Sequence, residues 1–285
     1  MVVSSHLSPS CRCGAWVSSS AIGIQVTFDR EWRPDGGSFD WEFSFDPLHY
    51  GATGDRKREF VSRVRKCIEQ VGFVFNNEVR VEWTLHVDEQ ERMETADGAD
   101  VDNFAKLLND SIKGPSGVLI DDAQIQRLEI AWQAARGAPY FELRIGSHPD
   151  SVTSKPFKLY EMPDRRWYPM SDEVMLDPGT VYVVCEVIAM SVQRHKDVRH
   201  AMRQMGVDGG DAFRSARPLQ LISLGFHNTR VADDDHVLVA MSEWRASSEL
   251  VTSEQRAALA AMREKDADID SLARALLPSR RRGRS

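Results

Sequence analysis

Cysteine is scarce in this chain. Cys11, Cys13, Cys67 and Cys185 are the four among 285 residues. Two sit in the CxC of SCRCG and two stand alone in apolar surroundings, so no disulfide framework is encoded. Cys11 and Cys13, with His6 nearby, could supply part of a zinc site. A structural zinc site needs four ligands, and no second CxxC or HxxxH follows. Cys67 and Cys185 read as core residues. Long apolar runs are also missing, and none approaches a membrane span. The first residues lack a basic segment followed by an apolar one, so a secretory signal is not expected and the expected compartment is the cytoplasm. Basic charge is in deficit, with 36 Lys and Arg against 43 Asp and Glu and a formal net charge of −7. That excludes coating nucleic acid by charge alone. It leaves room for a nucleic-acid enzyme, because divalent metals and a local basic face reverse the sign where a substrate sits. No internal repeat is present.

What is there is an ordinary globular composition, long enough for one large domain or two of usual size. Residues 1–22 are rich in Ser and small residues and read as a loose leader. IGIQVTF and SFDWEFSF follow as strands, the second alternating Phe39, Trp41, Phe43 and Phe45 against polar residues. GDRKREFVSRVRKCIEQVG has helical spacing at Phe60, Val61, Val64, Cys67, Ile68 and Val71. Its other face carries Arg56, Arg58, Arg63, Arg65 and Lys66. Each alone reads as a solvated position, but as a group in an acidic chain they are candidate contacts to a nucleic-acid backbone. VRVEWTLHV is a clean alternating strand. VDNFAKLLNDSI is helical, GPSG breaks it, and DDAQIQRLEIAW and YFELRI are extended.

The linker-like PDSVTSKP, residues 149–156, separates an α/β unit over 23–148 from a second α/β unit over 157–278, with a basic tail at 279–285. In the second unit a polar, aromatic stretch (FKLYEMPDRRWYPM) comes first. The expected elements are then a strand over TVYVVCEVIAM, a helix over KDVRHAMRQMG, strands over LQLISLGF and HVLVAMSEW, and a long helix from SEQRAALAAM to residue 277. Thr252 or Ser253, with Glu254 behind, caps that helix. Asp233, Asp234, Asp235 and His236 in VADDDHVLV, and His195 and His200, are possible metal ligands. The first group reads as a hairpin turn and the two histidines, five apart, as surface positions.

Negative charge gathers around one short helix. Asp97, Asp100 and Asp102 precede or open it, and Asp121 and Asp122 follow the GPSG break. Capping requires one aspartate. An EF-hand loop starting at Asp100 fails, because Ala105 stands where the turn needs Gly and Ser111 where a bidentate Glu belongs. On the helix, Asp102 and Lys106 are four apart and share a face, with Asn109 and Asp110 a turn on. Asp121 and Asp122 can return beside the helix start. Hard oxygen ligands suit Mg²⁺ or Mn²⁺, and the lysine suits a phosphate substrate.

DVDNFAK followed by DDAQI resembles the RusA-type Holliday junction resolvases. Their pattern is D-x-D-N-x-x-K, an aspartate four residues later, a short loop and D-D-x-Q-[IV]. Here it falls on Asp100, Asp102, Asn103, Lys106, Asp110, Asp121, Asp122, Gln124 and Ile125, and the resemblance spans residues 37–147. It implies an α+β fold with a mixed sheet and helices. It also implies a homodimeric, Mg²⁺-dependent endonuclease (Mn²⁺ as the substitute) of bacterial or phage origin, nicking branched DNA in recombination and repair. Asp100, Asp102, Lys106 and Asp122 would be catalytic, and Asp100, Asp102, Asp121 and Asp122 the metal ligands. Asn103 would brace the helix start. The chain departs from the pattern in two places that touch DNA binding. FDPLHYGATGDRKR has only Pro47 where family members have a Pro-rich strand, and DEQERMETADGA is acidic where they have a basic run. A non-catalytic DNA-binding or regulatory protein on the same fold is the alternative. The extension after residue 150 is expected to serve protein contacts, dimerisation or substrate clamping.

Overall fold

In a computed structural model of the chain, the described residues are 17–19, 24–27, 37–94, 100–147, 151–175, 177–216, 224–231 and 235–265. Cys11, Cys13, His6, Asp97, Asp233, Asp234, the end of the last expected helix and the basic tail lie outside them. The chain divides into two compact units, one ending at Val152 and the other starting at Thr153. Both mix helices with sheets, as the α/β reading expects.

The first unit runs β1 (Val17–Ser19), β2 (Ile24–Thr27), β3 (Gly37–Phe43), α1 (Gly54–Ile68), β4 (Phe73–Phe75), β5 (Val79–Val87), α2 (Glu89–Glu94), α3 (Val101–Ile112), β6 (Ile125–Ala134) and β7 (Tyr140–Ser147). β1 pairs antiparallel with β2, so part of the expected loose leader is strand. The six-stranded sheet has the order β1-β2-β3-β7-β5-β6. Its last strand in sequence, β7, lies in the middle, antiparallel to both β3 and β5. β6 is parallel to β5 and forms an edge.

The alternation seen in the sequence is the cause of the layering. Phe39, Trp41 and Phe43 of β3, Val79, Val81, Trp83 and Leu85 of β5, and Phe141, Leu143 and Ile145 of β7 are all buried in one core. Phe43 and Phe141 stack at 4.6 Å between ring centroids. Fully burying side chains of this size contributes roughly 1.5–3 kcal/mol each. α1 closes that core with Phe60, Val64 and Ile68, and α3 with Phe104, Leu107, Leu108 and Ile112. α1 and α3 also pack on each other. On β6, Leu128 is 42% exposed, while Ile130 and Trp132 are partly covered. β6 is an edge strand and has a neighbour on one side only.

β8 (Val152–Ser154) lies within the expected linker, at the boundary where the second unit begins. β9 (Phe157–Glu161) and β10 (Arg166–Ser171) then form a hairpin where only a polar, aromatic stretch was read. The expected strand over TVYVVCEVIAM is helix. α4 spans Pro178–Gln204 and also takes in the helix expected over KDVRHAMRQMG. A continuous apolar run carries no period that separates buried strand from buried helix. The local start signal decides: Pro178 occupies the first turn, and Asp177 caps it by accepting from the Thr180 N–H at 3.0 Å. The buried stripe Cys185, Ile188, Ala189, Val192, His195, Val198, Ala201 and Met202 follows at helical spacing. His195 is therefore in the interior, its ring edge-on to Phe213, and not on the surface as expected. His200 is exposed and meets Gln204 at 2.9 Å.

α5 (Gly209–Ala216), β11 (Phe226–His227), α6 (Asn228–Val231), β12 (Leu238–Val239), α7 (Met241–Ala246) and α8 (Ser253–Lys265) complete the unit. β11 pairs with β10 and β12 runs parallel to β9, in the order β11-β10-β9-β12. β11, which among the described residues keeps only Phe226 of the expected strand LQLISLGF, and β12 thus lie at opposite edges of the sheet. α7 replaces the end of the expected strand over HVLVAMSEW. Trp244 folds inward there and donates its indole N–H to the Glu161 carbonyl at 2.8 Å. α8 begins with a reciprocal cap in which Gln255, not Glu254, partners Thr252. No helix among the described residues is long and apolar enough to cross a membrane.

Candidate functional site

α3 carries the first half of the acid set. Asp100 occupies the N-cap position with extended backbone, yet its side chain makes no capping hydrogen bond. Asp102 lies in the first turn and is exposed. Among the described residues neither carboxylate is used in a hydrogen bond or ion pair. Helix capping therefore does not account for them. The positive end of the helix favours two carboxylates at this place, and both remain available to a ligand.

The other polar residues of the helix have structural partners. Asn109 accepts from the indole N–H of Trp83 at 3.0 Å. Asp110 pairs with Lys113 at 3.4 Å. Asn103 acts through its backbone, whose carbonyl accepts from the Tyr50 N–H at 2.7 Å.

That bond fixes residues 44–53 against the start of α3. Leu48 is buried beneath, and the His49 ring lies edge-on to Phe104 at 6.0 Å. Tyr50 is thereby held beside Lys106, whose ammonium lies 4.4 Å from the ring centroid. Hydrogen bonding to Tyr50, and then the charge interaction with it, push the Lys106 ammonium above its ordinary value. A lysine so placed stays charged at neutral pH. It suits stabilising negative charge and does not suit taking a proton from water.

The second acid pair enters from the other end of α3. After Ile112 the chain turns back, and the N–H groups of Val118 and Leu119 both donate to the Ile112 carbonyl, at 2.8 and 3.0 Å. Gly117 lies so close to that carbonyl that any side chain would collide with it. Asp121 and Asp122 follow from this turn, whereas Asp100 and Asp102 stand at the opposite end of a helix about 18 Å long. Asp121 is buried and accepts from the Ala123 N–H at 2.9 Å. Asp122 opens a short 3-10 turn over Asp122–Gln124. Among the described residues, no three acidic, imidazole or thiol side chains come together as a metal site.

The basic residues of α1 divide into two groups. Arg58, Arg65 and Lys66 line an open groove together with Lys57, Glu69 and Ser116. Arg65 also donates to the Lys113 carbonyl at 3.3 Å, tying the groove to the end of α3. Arg58 is paired with Asp55. Arg63 instead lies 3.9 Å over the Phe45 ring, and Arg56, seven residues earlier, shares that side of the helix. Lys57 was missed in the sequence. It lines the groove and also lies 4.4 Å from the Tyr50 centroid.

No protein-family model matches the chain, and no curated protein matches it.

Proposed function

We propose that the first unit is a metal-dependent, structure-selective DNA endonuclease that hydrolyses phosphodiester bonds in branched DNA such as four-way junctions. The observation that carries the reading is the start of α3. Two uncommitted carboxylates stand there, Asp102 one turn from the charged Lys106 and Asp100 at the N-cap position just before the helix, and a basic groove lies on the neighbouring helix.

The donor set suits Mg²⁺ in its usual mode, in which one or two carboxylates bind and the substrate phosphate and water complete the shell. Asp100 and Asp102 would hold the ion, with Mn²⁺ as the substitute. When bound it supplies charge to polarise the phosphate and to acidify water. Asp122 completes the acid set in the resolvase pattern, and its part rests on that pattern alone. Asp121 braces the turn. Lys106 stabilises the charge that develops on the phosphate, and Arg58, Arg65 and Lys66 hold the DNA backbone along α1. The resemblance adds a homodimer, and the second unit would make protein contacts. A cleavage panel of four-way, three-way and linear DNA in Mg²⁺ tests this reading, which expects nicking of the branched substrates first.

A second reading is a non-catalytic DNA-binding or regulatory protein. The separation of the two acid pairs along α3 favours it. Binding of branched DNA without cleavage in Mg²⁺ or Mn²⁺ would decide for it.

A further inference from the structure

Tyr50 is a large aromatic side chain held 41% exposed by a loop that is otherwise well anchored. Its ring receives two ammonium groups from two different helices. Lys57 of α1 and Lys106 of α3 each lie 4.4 Å from its centroid. Neither ammonium has an ion-pair partner among the described residues. A cation over an exposed ring gains about 0.5–1 kcal/mol, and two like charges gathered on one ring repel each other. An anion between them relieves that repulsion. The phenol O–H of Tyr50 adds a neutral donor beside the two ammonium groups.

The position is as informative as the charge. Lys106 stands one helical turn from Asp102, and Lys57 lines the α1 groove with Arg58, Arg65 and Lys66. Tyr50 thus joins the acidic start of α3 to the basic groove. We propose that Lys57 and Tyr50, with Lys106 shared between them and the phosphate to be cut, form a clamp for the adjoining backbone phosphate of the nucleic-acid substrate. The clamp makes the site and the groove one continuous track. The identity of the ligand rests on the nuclease reading above.

The test is equilibrium binding of fluorescein-labelled four-way junction to the full chain in EDTA, by anisotropy, over a salt series. Lys57→Gln and Tyr50→Ala are each expected to weaken binding about three- to tenfold. Lys57→Gln should also lower the slope of log affinity against log salt by about one. Tyr50→Phe should lose less than Tyr50→Ala, because it keeps the ring. Arg127→Gln, on the edge strand β6 and outside the α1 groove, removes the same charge and should change little. Unchanged thermal melts establish that the variants are folded. If the parent chain binds and Lys57→Gln matches it in affinity and slope, the clamp is wrong and the nuclease reading stands. Equal losses in Lys57→Gln and Arg127→Gln also overturn the clamp. If the parent chain does not bind the junction, both fall.

Discussion

The side-chain amide of Gln124 donates to the Phe75 carbonyl at 2.8 Å and to the Asn77 carbonyl at 2.9 Å. Its oxygen accepts from the N–H groups of Ile120 and Asp121, at 2.8 and 3.1 Å. One buried side chain thus ties β4, the loop after α3 and the start of β6 together. Gln124→Leu strands four backbone groups, three of them buried, and each buried one costs about 1–3 kcal/mol when unsatisfied. The expected loss is about 3 kcal/mol or more, read from urea denaturation. Gln124→Glu should be comparably harmful, because it sets a carboxylate against two carbonyl oxygens.

Asp121 and Asp102 are predicted to separate stability from chemistry. Asp121 accepts from a backbone N–H as a cap, so Asp121→Ala should cost about 1 kcal/mol. Junction cleavage by the folded variant should persist. Complete loss of cleavage with unchanged stability would make Asp121 a ligand after all.

Metal binding is expected to depend on DNA. With two carboxylates available at the start of α3, the free protein should bind Mg²⁺ only weakly, and calorimetry should detect no tight site. In the Lys106→Ala chain, used so that substrate survives, Mg²⁺ should tighten junction binding. A tight stoichiometric Mg²⁺ site in the free protein would contradict this.

The second unit should be sensitive to base. Burial, and then the neighbouring Glu186 charge, push the Cys185 thiol up to about 12 from an ordinary value of 9.0. Burial likewise pushes the Tyr160 phenol up to about 12 from 10.0. Both groups stay neutral when folded and ionise earlier when unfolded. Their contribution is complete below pH 9 and is lost as pH rises towards 12. The urea midpoint should therefore fall between pH 8 and 10.5, and by less in Cys185→Ala. Equal midpoints at both pH values would refute the assignment.

The parts of the fold that were legible in the sequence are those with one buried face. β3, β5, α1 and α3 show their period because their other side meets water. α4 was misread because its first half is apolar all round, and only Asp177 and Pro178 mark its start. The central place of β7 was not legible, since strand order depends on pairing between distant segments. The acid residues were legible as a spacing, but the turn at Gly117 that separates the two pairs was not. Tyr50 and Lys57 escaped notice for the same reason. Their meeting with Lys106 depends on a loop docking across the chain, and no local pattern encodes it.

The central claim is that the start of α3 cuts DNA, and one comparison tests it most directly. The full chain and Asp102→Asn are each incubated with a four-way junction in Mg²⁺, after matched thermal melts. The account predicts nicking by the parent chain and none by the variant. Full cleavage by Asp102→Asn, or a parent chain that binds the junction and leaves it intact in both Mg²⁺ and Mn²⁺, would contradict it.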